Sequence, residues 1–163
     1  PLSGSIISNK VWKVLEQGTD ENGPIGHGWT YSAHPIGAAA GVANLQYLDK
    51  MNLIDNVNHI GQYLRDELCN VFKSHPLVGE VRGEGMLASL EFLEDKEQLK
   101  FFDPSKKIGA QVSAALLKEG VIGRAMPHGD ILGLAPPLCL SKSEANIIVD
   151  ALKKSIDLVH SNI

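Results

Sequence analysis

Cysteine is scarce: Cys69 and Cys139 are the only two among 163 residues, far apart and without the spacing of metal ligands. Two free thiols in a reducing, cytoplasmic setting are therefore expected rather than a disulfide, with no metal site. No apolar run approaches the roughly 18 residues of a spanning helix, so membrane insertion is not expected. Basic residues are outnumbered, 15 Lys and Arg against 19 Asp and Glu, and the net charge of −4 gives no hold on nucleic acid or an anionic membrane. An initiating methionine is also lacking, and no signal-peptide pattern takes its place. The chain opens at Pro1, directly before the strand-like Ser3-Gly4-Ser5-Ile6-Ile7-Ser8. With 44% hydrophobic and 21% charged residues, what remains is an ordinary globular composition, long enough for one domain or one domain plus part of another.

The most informative segment is Gly26-His27-Gly28-Trp29-Thr30-Tyr31-Ser32-Ala33-His34-Pro35, which runs into Ile36-Gly37-Ala38-Ala39-Ala40-Gly41. It sets a hydroxyl, backbone donors and flexible glycines just before a helix of very small residues. Unpaired N–H groups and the positive end of the helix macrodipole suit an anion such as a phosphate. Pro35 fits the first helical position, which needs no intrahelical donor. An ordinary loop entering a buried helix would read the same way.

Along the rest of the chain, residues 1–9 read as a strand, Lys10 to Gln17 as a short helix, and Gly18 to Gly28 as a loop. The helix from Pro35 to about Lys50 is apolar nearly all round and is expected to be buried. Leu53, Val57, Ile60, Leu64, Leu68 and Val71 repeat at helical spacing up to His75-Pro76. Met86, Ala88, Leu90 and Phe92 alternate as one face of a strand, with Gly83 and Gly85 marking a bend beside it. Asp103-Pro104 opens a further helix that Gly120 closes. Val121–Arg124 and Ile131–Leu134 form a hairpin around Pro127-His128-Gly129-Asp130. Ser141-Lys142-Ser143-Glu144 is a capping box for a last helix with Ala145, Ile148, Leu152, Ile156 and Val159 as its buried stripe. The order helix, helix, strand, helix, hairpin, helix predicts an α+β unit with helices on one face of a small sheet.

The H-G-x-T-Y-S-x-H-P segment closely resembles a signature of class III, omega-type aminotransferases, which use pyridoxal 5'-phosphate (PLP). Val81-Arg82-Gly83-Glu84-Gly85-Met86, Gly120-Val121-Ile122-Gly123-Arg124-Ala125 and Leu134-Ala135-Pro136-Pro137-Leu138 continue the likeness in family order. Amine–pyruvate and omega-amino acid–pyruvate members are the most similar. The resemblance implies an α/β fold of PLP-dependent fold type I. Residues 1–50 would end the large PLP-binding domain and 51–163 would form the C-terminal small domain. Family members carry their Schiff-base lysine a few residues before a similar P-L-S-G-S segment. The resemblance thus implies a C-terminal part of a longer enzyme, with the catalytic lysine upstream and no transamination by these residues alone. Lys10 and Lys13 read as solvated charges on a short helix.

The resemblance also assigns roles. Thr30 would donate its hydroxyl and N–H to the PLP phosphate of the neighbouring subunit, implying a homodimer with active sites shared across the interface. Trp29 would stand with the cofactor at the active-site edge, a structural interface role being the alternative, and Arg124 would hold a substrate carboxylate; His34, placed before the helix-starting Pro35, itself reads as fixing the turn. That arginine can swing aside in omega-type enzymes, and the glycines beside Arg124 would permit it. Arg82 reads as structural, bonding carbonyls near the domain junction. The implied reaction moves an amino group from an amine or omega-amino acid to a keto acid such as pyruvate. An aminomutase or decarboxylase of the same family, or a binding module retaining the fold, are the alternatives.

Overall fold

The computed structural model describes residues 2–163. The chain divides into two units, residues 1–51 and 52–163. The first holds two helices. Helix α1 (Asn9–Asn22) starts at Ser8, whose hydroxyl accepts the Val11 N–H, and ends at Gly23 with φ +81°. It runs past the expected stop at Gln17. Thr19 and Asn22 donate their side chains to the Leu15 and Gly18 carbonyls, and the Gly23 N–H reaches the Thr19 carbonyl. Residues 2–8 form no strand, since a ladder needs a partner and this unit has none to pair with them. Helix α2 (Pro35–Lys50) has the expected bounds, but none of its residues is buried. The expected burial of this apolar helix is not met, because a two-helix unit of this size has too little chain to enclose it.

The second unit is built in two layers, with three helices on one face of a four-stranded sheet. Helix α3 (Leu53–Phe72) buries Leu53, Gly61, Leu64, Leu68 and Phe72. Strands β1 (Val78–Glu84) and β2 (Leu87–Phe92) follow, then a 3-10 turn (Pro104–Lys106) and helix α4 (Ile108–Lys118). Strands β3 (Arg124–Ala125) and β4 (Ile131–Leu134) precede helix α5 (Lys142–His160). The sheet order is β1-β2-β4-β3 and every pair is antiparallel. Ala88, Leu90 and Phe92 point inward as the alternation predicts, beside Leu132 and Leu134 from β4. They meet Leu64, Leu68, Leu116, Leu152 and Ile156 from the helices, each almost fully buried. Each such side chain contributes about 1.5–3 kcal/mol by leaving water.

Three details differ from the sequence reading. Strand β1 is not in it: a bulge at Gly79 breaks the alternation, so Val78 and Val81 face the core three residues apart. The helix expected from Asp103 is interrupted. Asp103 caps only the 3-10 turn through the Ser105 N–H, and Lys107 turns left-handed before α4 begins. The hairpin exists, but its first strand starts at Arg124. Val121 is held to the end of α4 by its N–H on the Leu116 carbonyl.

Close backbone contact sets the helix-to-sheet distance. A Cβ on Gly61 would lie 2.0 Å from the Gly85 carbonyl oxygen, and Gly85 makes the β1–β2 turn with φ +55°. Arg65 donates to that same carbonyl. The capping box of α5 is complete, Ser141 accepting the Glu144 N–H while the Glu144 carboxylate accepts from the Ser141 N–H.

Candidate active site

Two places carry the chemistry, one in each unit. In the first, residues 29–34 make two successive tight turns. The Ser32 N–H reaches the Trp29 carbonyl at 2.9 Å, the Trp29 N–H reaches the Ser32 Oγ at 3.1 Å, and the His34 N–H reaches the Tyr31 carbonyl at 3.2 Å. Ala33 pivots the chain with φ +57°. His34 is the N-cap of α2, its Nδ1 accepting the Gly37 N–H at 3.4 Å, and Pro35 stands at the helix start. The turn therefore uses His34 as the sequence suggests, for structure.

Among the described residues, these turns leave Thr30 and Tyr31 with free donors. Neither the Thr30 N–H nor its hydroxyl has a hydrogen-bond partner among them, and the residue is exposed. An N–H and a hydroxyl four residues before the N-cap of α2 can each donate to a phosphate oxygen. Trp29 is 72% exposed and meets only His27 edge-on, with ring centroids 4.9 Å apart. Its flat face is available as a wall.

In the second unit, Arg124 opens β3 at the sheet edge. It is exposed and makes no ion pair among the described residues. Its cross-strand partner is Gly133, which pairs in turn with Ser89, itself opposite Arg82. All four stand on the sheet face that carries no helix. Gly123 is not a hinge for Arg124, contrary to the expectation from adjacent glycines. It is buried, its carbonyl accepts the Ser113 hydroxyl at 2.6 Å, and a Cβ there would lie 2.8 Å from Leu116.

The hairpin loop is held in place from α4. Asp130, in a left-handed conformation with φ +42°, accepts the Gly109 N–H at 3.0 Å and so caps the first turn of that helix. Met126, Pro127 and His128 are thereby fixed as one wall of a groove on the open sheet face, of about 320 Å³. Gly133, Ile131 and Ser89 form its floor, and Arg82 closes the far side.

Arg82 bonds carboxylates and not carbonyls. Its Nη1 lies 2.5 Å from Glu80 and 2.6 Å from Glu91, and these bonds, Glu91 first, hold its pKa above the ordinary arginine value. The carbonyl-binding arginine is Arg65. Sequence reasoning missed this rank of residues altogether, because the strand register that assembles it joins segments far apart in the chain.

The family model for class-III aminotransferases matches residues 1–156. The chain belongs to the class III aminotransferases. A diaminobutyrate–2-oxoglutarate transaminase of Halomonas elongata is 51% identical over 159 residues, covering 98% of this chain and 34% of the relative. A putrescine–pyruvate aminotransferase of Pseudomonas aeruginosa is 32% identical, covering 96% of this chain and 33% of the relative. A solved transaminase from directed evolution by ancestral reconstruction superimposes with a TM-score of 0.93 at 54% identity, covering 96% of this chain and 34% of that one. The chain thus spans about a third of the length of the relatives it matches. Class III aminotransferases are PLP-dependent enzymes of fold type I, and the two-unit α/β chain is a member of that fold. No described helix is long and apolar enough to cross a membrane.

Proposed function

We propose that this chain works within a PLP-dependent transaminase that moves an amino group from an amine or omega-amino acid to a keto acid such as pyruvate. The observation that carries the reading is the Thr30 turn, four residues before the N-cap of α2, where an N–H and a hydroxyl of one exposed residue have no partner among the described residues. Residues 1–50 end the large cofactor-binding domain in this reading, and residues 51–163 are the small domain. The relatives are about three times as long. The Schiff-base lysine and the acid that pairs with the pyridine nitrogen belong to a segment outside these residues.

Bound PLP supplies the electron sink for the carbanion left when the donor loses a proton. Thr30 binds the phosphate through its hydroxyl and N–H, in the active site of the neighbouring subunit of a homodimer. Trp29 walls the pocket with its exposed ring and limits the approach of water. Arg124 receives a substrate carboxylate in the planar fork of its guanidinium. The two exposed free thiols, Cys69 and Cys139, suit a cytoplasmic enzyme.

Borohydride treatment of the protein from its native source, followed by intact and peptide mass measurement, tests the frame. A chain much heavier than 17.6 kDa with PLP fixed to a lysine outside these residues is expected. A bare chain of that mass would refute it. Product analysis with a paired amine and keto acid separates transamination from aminomutase or decarboxylase activity.

A further inference from the structure

Helix α1 ends in a turn that its own sequence weakens. Gly18 stands inside the helix, where glycine loses more backbone freedom than any other residue. Asp20 and Glu21 lie in the last turn, at the negative end of the helix macrodipole, and no basic residue is there to offset them. None of the residues of α1 is buried, and Pro24 cannot extend the helix. Two hydrogen bonds engage the final residue pair. The Gly23 N–H donates to the Thr19 carbonyl at 2.9 Å, and Asn22 Nδ2 donates to the Gly18 carbonyl at 3.3 Å.

Those bonds occupy two groups that can react with each other. Asn22 is the only asparagine of the chain followed by glycine; every other one precedes a residue whose side chain crowds its backbone nitrogen. Both Asn22 and Gly23 are exposed, and no atom lies within 4 Å of where a Cβ on Gly23 would stand. Nothing described shields the Gly23 nitrogen once its hydrogen bond opens.

We propose that Asn22 is a self-modification site, converted to aspartate and isoaspartate through a cyclic imide when the last turn of α1 frays. Opening the turn frees both bonds. The Gly23 nitrogen gives its proton to hydroxide and attacks the side-chain carbonyl carbon of Asn22. The new C–N bond closes a five-membered ring, and the side-chain nitrogen takes a proton from water and leaves as ammonia. Water then opens the ring at either carbonyl. One opening gives an aspartate at position 22; the other carries the backbone through the side chain, one methylene longer. Either product sets a third carboxylate beside Asp20 and Glu21 and removes the Asn22 bond to Gly18, so the reaction leaves the turn open behind it.

The test ages the folded, full-length, PLP-loaded enzyme at mildly alkaline pH, digests it in acid and measures peptide masses against an unaged control. The peptide spanning Asn22 and Gly23 is expected to gain the mass of NH2 replaced by OH and to split into two chromatographic products of equal mass, faster as pH rises. Asn22→Gln, whose longer side chain would need a six-membered ring, should lose the change. Gly18→Ala should slow it about two- to fivefold, the shift in frayed population that a helical Gly-to-Ala exchange sets. A Cβ on Gly18 meets nothing within 4 Å, so that variant is free to fold. Urea-unfolded enzyme should react faster than folded enzyme. An unchanged peptide in folded enzyme, with modification only after unfolding, overturns the proposal because the helix end is then locked. A mass gain that persists in Asn22→Gln overturns the assignment to Asn22. Equal rates in wild type and Gly18→Ala, or in folded and unfolded enzyme, overturn the gating by fraying.

Discussion

His75 Nε2 lies 3.2 Å from Asp157 Oδ1, while His75 Nδ1 accepts the Leu77 N–H at 3.2 Å. The two bonds fix one neutral tautomer, with the proton on Nε2, and tie the end of α3 to α5. Burial lowers the His75 pKa below 6.5, and the facing His160 and Lys96 act in the same direction while Asp157 opposes them. Protonating Nδ1 would also break the bond from Leu77. In the unfolded chain the imidazole titrates near 6.5. The unfolded state therefore binds more protons over that range, and stability is fully present above pH 6.5 and lost as pH falls through the lower native value. Denaturant midpoints measured from pH 8 to pH 5 should decline, and His75→Gln should flatten the decline. A midpoint that rises below pH 6.5 would show that the Asp157 attraction wins.

Gly61 is a second point where a small change is costly. A methyl group there would sit 2.0 Å from the Gly85 oxygen, which is backbone and already bound by Arg65. Neither α3 nor the β1–β2 turn can yield without moving Leu64 or Met86, both buried. Gly61→Ala should destabilise the second unit by about 1–3 kcal/mol, the usual cost of overpacking, despite the better helix propensity of alanine. Urea unfolding followed by circular dichroism checks it. A variant as stable as the parent would mean that the helix sits farther from the turn.

Features set by neighbours in the chain were legible in the sequence. The Ser141–Glu144 capping box, the left-handed Gly120 and the inward face of β2 need only local spacing. Strand β1 was hidden, because the bulge at Gly79 shifts its inward residues out of period two and glycines and charges fill the rest. The strand expected at the start of the chain had suitable composition but lacked a partner in its unit. Thr30, Trp29 and Arg124 were found through motif resemblance, and their roles remain proposals tested by substitution. The Arg124–Gly133–Ser89–Arg82 rank could not be found in that way, since it depends on the register of four strands.

In the proposed role, Thr30→Ala removes one of the two donors to the phosphate and leaves the turn intact, because the Trp29–Ser32 bonds do not involve its side chain. A hydrogen bond to a charged group contributes about 1.5–3 kcal/mol. The full-length enzyme should then release PLP about ten- to a hundredfold more readily, on the scale of 1.4 kcal/mol per decade. Dialysis followed by the cofactor's absorbance reads this directly. Thr30→Ser, which keeps the hydroxyl, should restore most of the retention. Equal loss in both variants would assign Thr30 a packing role instead.

Arg124 distinguishes charge from geometry. Arg124→Lys keeps the positive charge but replaces the planar fork with a point charge on a flexible stem. Losing one of two charge-assisted bonds should raise KM for pyruvate about tenfold, and Arg124→Gln, which loses the charge as well, should raise it by about a hundredfold. Folding should be unaffected in both, since the side chain is exposed at an edge strand and has no ion pair to lose among the described residues. The donor half-reaction with an amine lacking a carboxylate supplies the control, because it makes no demand on the guanidinium. If that half-reaction falls in step with pyruvate use, Arg124 supports the site's structure and the carboxylate is held elsewhere.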